Sequence, residues 1–188
     1  SERFVVRGIT YGTFRPNGAG DLFPAPEQVS RDFAAMVASG INSVRVYTTP
    51  PRWLLDLAEA HGLRVLVGMW WEQHVAFLES RSEARARARI VRDAVRASAG
   101  HPAVLAYAIG NEVPSSIVRW YGRRRVEAWL RQLHEIAKQE SPEALVTYVS
   151  YPTTEYLELP FLDFVSFNVY LESRERFADY LARLHNLA

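Results

Sequence analysis

The chain has 188 residues, 48% of them apolar, 12% aromatic and 23% charged, and a formal net charge of +1. That length allows one domain or a large part of one, and the composition excludes a disordered, collagen-like or disulfide-scaffolded chain. With no cysteine there is no thiol nucleophile or thiolate metal site, and the near-neutral charge favours neither nucleic acid nor an anionic membrane.

Phe4 to Tyr11 reads as a first strand. A loop rich in Pro and Gly follows, and Pro26 suits the first turn of a helix, where its missing N–H costs nothing. Val29, Phe33, Met36 and Val37 share one face of that helix, and Gly40 ends it. Ile41 to Tyr47 is a second strand. Pro50-Pro51 opens a helix carrying Leu54, Leu57 and Ala58, which Gly62 stops. Leu63 to Met69 is a third strand, near-continuously apolar as expected when both faces are covered. A helix over about Glu83 to Ala99 stops at Gly100-His101-Pro102, and Val104 to Ile109 is a fourth strand. A long helix runs from about Ile117 to Glu140, with Val126, Trp129, Leu130, Leu133 and Ile136 at helical spacing. Leu145 to Val149 and Leu162 to Tyr170 are the fifth and sixth strands. A last helix, from about Glu175, is expected to bury Phe177, Tyr180, Leu181 and Leu184.

Strand and helix alternating in this way mean right-handed crossovers and a parallel sheet. A doubly wound open sheet would carry a phosphate loop after an early strand, but the first strand is followed by Gly12-Thr-Phe-Arg-Pro, and no Walker-type loop occurs. A (β/α)8 barrel instead spreads functional residues over the C-terminal ends of many strands. The strand ends here carry Tyr11, Phe14, Arg45, Tyr47, Trp70, Trp71, Glu72, His74, Asn111 and Glu112, then Tyr151, Glu155, Asn168 and Tyr170. Aromatic faces stack on the C–H faces of sugars, and amides and carboxylates bind hydroxyls. Phosphate recognition would ask for glycine-rich nests or several cations. The inventory favours an oligo- or polysaccharide.

Ala108-Ile-Gly-Asn-Glu112-Val-Pro is the sharpest element. A carboxyl leaving an apolar strand is partly desolvated, which favours the protonated form that a general acid needs. Asn111 beside it is placed to bind a hydroxyl next to the anomeric carbon. The dipeptide alone equally suits a cap on the helix that follows.

Asn-Glu after the fourth strand, Arg45 within Val44-Arg-Val-Tyr47 and Asn-x-Tyr in Phe167-Asn-Val-Tyr170 together resemble the retaining glycosidase barrels of clan A. The likeness is to the TIM-barrel catalytic domain of glycoside hydrolase family 2. Gly-Ile-Thr-Tyr-Gly-Thr-Phe, Pro-Pro-Arg-Trp-Leu-Leu-Asp and Leu-Pro-Phe-Leu-Asp-Phe are similar to bacterial members, some associated with glycosyltransferases. The resemblance implies a double displacement on a β-linked sugar, with no cofactor and no metal. Glu112 would be the acid/base and Asn111 would hold the sugar's 2-hydroxyl. Arg45 and Tyr170 would lie beneath the sugar and tune the nucleophile, while Tyr11, Tyr47, Trp70, Trp71, His74 and Asn168 would bind substrate. The nucleophile itself comes from the seventh strand, about 5–5.5 Å from the acid/base. Of the carboxylates present, Glu72, Glu155 and Glu172 are stand-ins by type.

A barrel of this kind typically needs about 250 residues. The chain therefore reads as units one to six of a longer polypeptide, with bare edges that invite association. The alternatives are a transglycosylase of a β-glucan-like polymer, or a non-catalytic sugar-binding barrel partnering a glycosyltransferase. A Schiff-base aldolase is disfavoured, since Lys138, the only lysine, lies on a helix. No apolar run reaches the roughly 18–20 residues of a membrane span. The start at Ser1-Glu2 shows no signal peptide, which leans toward the bacterial cytoplasm over export. Arg81, Arg85, Arg89, Arg92 and Arg96 form one helical stripe, expected to be a solvated outer face. His61, His101, His134 and His185 have no metal-ligand spacing and are expected to be structural.

Overall fold

The structure, a computed structural model, describes residues 4–18, 20 and 22–187. Its strands are β1 (Gly8–Thr10), β2 (Ser43–Val46), β3 (Arg64–Gly68), β4 (Val104–Asn111), β5 (Leu145–Ser150) and β6 (Ser166–Phe167). The helices are α1 (Pro26–Ala38), α2 (Arg52–Ala60), α3 (Arg81–Ser98), α4 (Ser115–Tyr121), α5 (Arg123–Glu140) and α6 (Arg174–Leu187). The six strands form one sheet in the order of the chain, every neighbouring pair parallel. An order that never reverses has no topological switch point, so the doubly wound alternative fails. Always stepping to the next strand with the same hand curls the sheet into six units of an incomplete TIM barrel.

The core lies between the sheet's convex face and the helices. Val44, Val46, Val65 and Val67 alternate onto that face and meet Phe33 of α1, Leu54 and Leu55 of α2, Val91 and Val95 of α3, and Leu130 and Leu133 of α5, all essentially inaccessible. Each such side chain contributes about 1.5–3 kcal/mol. Ser80 caps α3, its Oγ accepting the Glu83 N–H at 3.1 Å. The arginine stripe is exposed at Arg81, Arg85 and Arg89, but its C-terminal end is engaged: Arg96 donates to both oxygens of Glu140 on α5 at 2.9 and 3.0 Å, and Arg92 lies 3.4 Å from one of them. The pairing joins α3 to α5 but stabilises little, since exposed ion pairs contribute little.

Gly68, at the end of β3, lies hard against the backbone at the end of β2. A Cβ there would lie 2.3 Å from the Val46 carbonyl oxygen and 2.8 Å from the Tyr47 Cα, both backbone atoms. Gly68→Ala is therefore expected to cost about 3 kcal/mol and to lower the thermal midpoint by roughly 6–12 °C. An unchanged midpoint would mean that the two strands have room to part.

The expected elements need four corrections, the first being that the sixth strand, expected over Leu162 to Tyr170, pairs only at Ser166–Phe167. The long helix is two, α4 and α5, broken at Gly122, whose φ of +81° suits glycine and not a helix interior. The first strand pairs only at Gly8–Thr10, and Phe4, Val5 and Val6 before it are exposed, as is Ile9 within it. Phe177 and Leu181 of α6 are 37% and 44% exposed rather than buried. They line an apolar hollow with Val165, Phe167 and Leu184 that no other described element covers. What holds α6 is polar. Arg183 and Tyr180 donate to Glu155 in the loop after β5, at 2.6 and 2.8 Å. The Arg183 guanidinium holds that carboxyl below its usual range.

Candidate active site

Parallel strands place all their C-terminal ends on one rim, and the chain's amide- and carboxylate-bearing turns meet there. At the end of β4 the backbone turns sharply. Glu112 has a φ of +51°, left-handed and uncommon for a residue with a side chain. Three successive amides hold it so: the Asn111 N–H donates to Gln73 Oε1, the Glu112 N–H to the Val149 carbonyl and the Val113 N–H to the Tyr148 hydroxyl, each at 2.8 Å. A side chain kept at a backbone cost of order 1–3 kcal/mol, and pinned there, is a feature of functional turns. The helix-cap reading fails, because α4 starts at Ser115 behind Pro114 with no side-chain cap.

Arg45 stands between Val44 and Val46 in β2, so it projects to the concave face opposite them. Its Nη2 donates to Asn111 Oδ1 at 2.6 Å and its Nη1 to Asn168 Oδ1 at 2.9 Å. Asn168 Nδ2 donates in turn to Asn111 Oδ1 at 3.0 Å and to Glu112 Oε1 at 2.7 Å, and the Tyr170 hydroxyl donates to the same Oε1 at 3.1 Å. The guanidinium also lies 4.7 Å from the centre of the Tyr47 ring. One connected network thus crosses the rim from β2 through the end of β4 to the segment after β6. Burial of the hydroxyl and the Glu112 charge push the Tyr170 phenol up, which keeps it a donor.

The network decides what is left for a ligand. Asn111 Oδ1 is occupied twice, so its Nδ2, a donor, is the group available to an incoming hydroxyl. Glu112 Oε1 is likewise occupied twice, and Oε2 accepts from none of the described residues. Beside them opens a cleft of about 370 Å³ lined by Arg45, Tyr47, Trp70, Gln73, His74 and Asn111 among others, a size suited to a small ligand. Trp70 is 59% exposed there.

Two of the expected binding residues are placed elsewhere. Trp71 is fully buried, its indole N–H donating to the Ile109 carbonyl at 2.8 Å and its ring set edgewise on Phe77 and Trp129. Tyr11 is 6% exposed and its hydroxyl donates to Asp32 of α1 at 2.7 Å, on the helix side of the sheet. In both cases the side chain leaves the backbone towards the core. The stand-in carboxylates are engaged: Glu72 accepts from Arg87 of α3 at 3.2 Å, and Glu155 is held by Arg183 and Tyr180. Glu172 is exposed. Gln73 and Tyr148 were not anticipated. Both are buried and both fix the turn at Glu112, yet nothing in their sequence neighbourhood distinguishes them from core residues. Among the described residues no three His, Asp or Glu side chains gather as metal ligands. His61 bonds Ser30, His101 bonds Asp56, and His134 packs on Phe161.

The sequence matches the family described as "Glycosyl hydrolases family 2, TIM barrel domain" over residues 3–186. No curated protein matches it in sequence. Among solved structures it is similar to Bacteroides uniformis β-glucuronidase 2, covalently bound to cyclophellitol-6-carboxylate aziridine. The TM-score is 0.79 at 21% identity, covering 97% of this chain and 23% of that one. The Parabacteroides merdae β-glucuronidase with glycerol in its active site gives a TM-score of 0.74 at 18% identity, covering 96% and 22%. The Ruminococcus gnavus β-glucuronidase gives 0.71 at 16%, covering 96% and 33%. At these identities the likeness is one of fold, and the chain spans about a quarter to a third of the length of these enzymes. The sequence match over nearly the whole chain goes further than fold: the chain belongs to glycosyl hydrolase family 2, as six βα units of that family's TIM barrel domain.

Proposed function

We propose that this barrel domain hydrolyses a β-linked glycoside with retention, Glu112 serving as acid/base. The observation that carries the reading is the Arg45–Asn111–Asn168–Glu112–Tyr170 network. It ties up one carboxylate oxygen of Glu112 and leaves the other, Oε2, without a partner among the described residues, next in the chain to Asn111, which lines the cleft. In the first step Glu112 gives its proton to the glycosidic oxygen as that bond breaks. A carboxylate outside these six units attacks the anomeric carbon from the opposite side. In the second step Glu112 takes a proton from water, and the hydroxide equivalent displaces the enzyme carboxylate. Asn111 Nδ2 binds the 2-hydroxyl, where hydrogen bonds strengthen in the transition state. Trp70, Tyr47 and His74 flank the sugar.

The β configuration draws on the three solved neighbours, which are β-glucuronidases. The test is the anomer formed first by the intact protein from an aryl β-glucuronide or β-glucoside, followed by proton NMR. The β anomer must appear before mutarotation. The α anomer would place the two carboxylates some 6.5–9.5 Å apart and make the enzyme inverting. Oligosaccharide binding with no turnover at all would favour the sugar-binding barrel.

A further inference from the structure

Trp120, next to last in α4, is 73% exposed, the most open of the large apolar side chains apart from Tyr170. So open an indole gains little from burial, yet it has a polar partner. Its Nε1–H donates to Glu79 Oε1 at 3.2 Å, and the neighbouring Tyr121 hydroxyl donates to the same oxygen at 3.0 Å. Tyr121 accepts the Leu78 N–H at 3.0 Å, packs on Phe77 with ring centres 5.4 Å apart, and carries the Arg125 guanidinium over its other side. The edge of the indole is therefore tied while most of the ring stays in water.

Its place on the fold is set by the segment between β3 and α3. That segment lines the cleft at its start, through Met69, Trp70, Gln73 and His74, and ends at Glu79 against Trp120. On the other side, only Val113 and Pro114 separate Glu112 from the start of α4 at Ser115, a span of at most about 10 Å. Five helical residues from Ser115 to Trp120 add about 7.5 Å. Along this second connection the indole's backbone lies no more than about 17–18 Å from that of Glu112, within the span of a short oligosaccharide extending from a sugar seated there.

We propose that Trp120, oriented by Glu79, is a distal sugar subsite: a platform on which a later residue of a β-linked oligosaccharide stacks. β-Linked glucose-type sugars carry their hydroxyls equatorially and so present flat C–H faces, which match an open indole. The free carboxylate oxygen of Glu79 is there to accept a hydroxyl from the same sugar. This rests on the glycosidase reading for its ligand class, but not on Glu112 as the acid.

The test is calorimetric titration of the intact Glu112→Gln protein, which is expected to consume an unactivated ligand roughly 10²–10⁴-fold more slowly. The probes are β-1,3- and β-1,4-linked glucose oligomers of two and five units. Trp120→Ala in that background is expected to weaken binding of one or both five-unit oligomers about tenfold, one aromatic partner's worth. The two-unit oligomers should change by less than twofold. Trp120→Phe, which keeps a ring, should recover part of the loss. Equal weakening at both lengths, no weakening, or no binding by any of the oligomers overturns the subsite. A lowered thermal midpoint in Trp120→Ala without a length effect would show instead that another part of the protein covers the indole. A length effect that survives alongside Glu112→Gln activity at the original rate would remove the acid/base and leave the platform standing.

Discussion

Replacing Glu112 with glutamine is expected to lower kcat/KM for an alkyl β-glycoside by roughly 10²–10⁴-fold, the usual worth of a positioned general acid. The thermal midpoint should stay within a degree or two. Glutamine keeps a carbonyl oxygen where Oε1 sits, so Asn168 and Tyr170 retain their acceptor, and the left-handed turn is no harder for Gln than for Glu. What disappears is the transferable proton. A large fall in stability would mean that Glu112 holds the rim together rather than acting on a substrate. The experiment uses the intact protein, because the proposed mechanism takes its second carboxylate from outside β1 to β6.

Arg45→Leu is expected to cost about 10²-fold in kcat/KM, mostly as kcat. The guanidinium fork is the only described group that touches both Asn111 and Asn168, from a strand that is adjacent to neither. With the fork gone, Asn168 Oδ1 loses its donor and Asn111 Oδ1 keeps only Asn168. Both amides are then free to turn, and a displacement of about 1 Å in a positioning group can cost 10²-fold in rate. Arg45→Lys keeps the charge but is a point donor that cannot span two oxygens in a plane, so it should restore only part of the rate. An Arg45→Leu protein with unchanged kcat would show that the network is a structural brace.

The barrel was legible because parallel strands covered on both faces read as short apolar runs, and each here except β5, which leads to β6 through a single 3-10 turn at Pro152–Thr154, is followed by a helix of clear period. The rim residues Arg45, Asn111, Glu112 and Asn168 were legible because strand ends are fixed points in that pattern. Beyond a strand end the period stops. Trp70 and Trp71 are consecutive in an irregular segment, and only the structure shows that one faces the cleft and the other the core. Tyr11 failed for a different reason: its partner Asp32 is a helix away, and nothing local marks the pair. The break at Gly122 was hidden because the apolar spacing continues through it into α5. Gln73 shapes the site through a single bond to a backbone amide, a role with no composition or spacing to announce it. For α6 the amphipathic pattern marks an apolar face, but a pattern says only that a face seeks cover, not that the chain supplies it.

The most direct measurement of Glu112's role compares two leaving groups in the Glu112→Gln protein. A dinitrophenyl β-glycoside departs without a proton, whereas a methyl β-glycoside needs one. If Glu112 is the general acid, kcat/KM for the dinitrophenyl substrate stays near that of the unsubstituted protein. For the methyl glycoside it falls by at least about 10²-fold. Equal losses on both substrates would contradict the account, because they would mean that Glu112 does something other than protonate the departing oxygen.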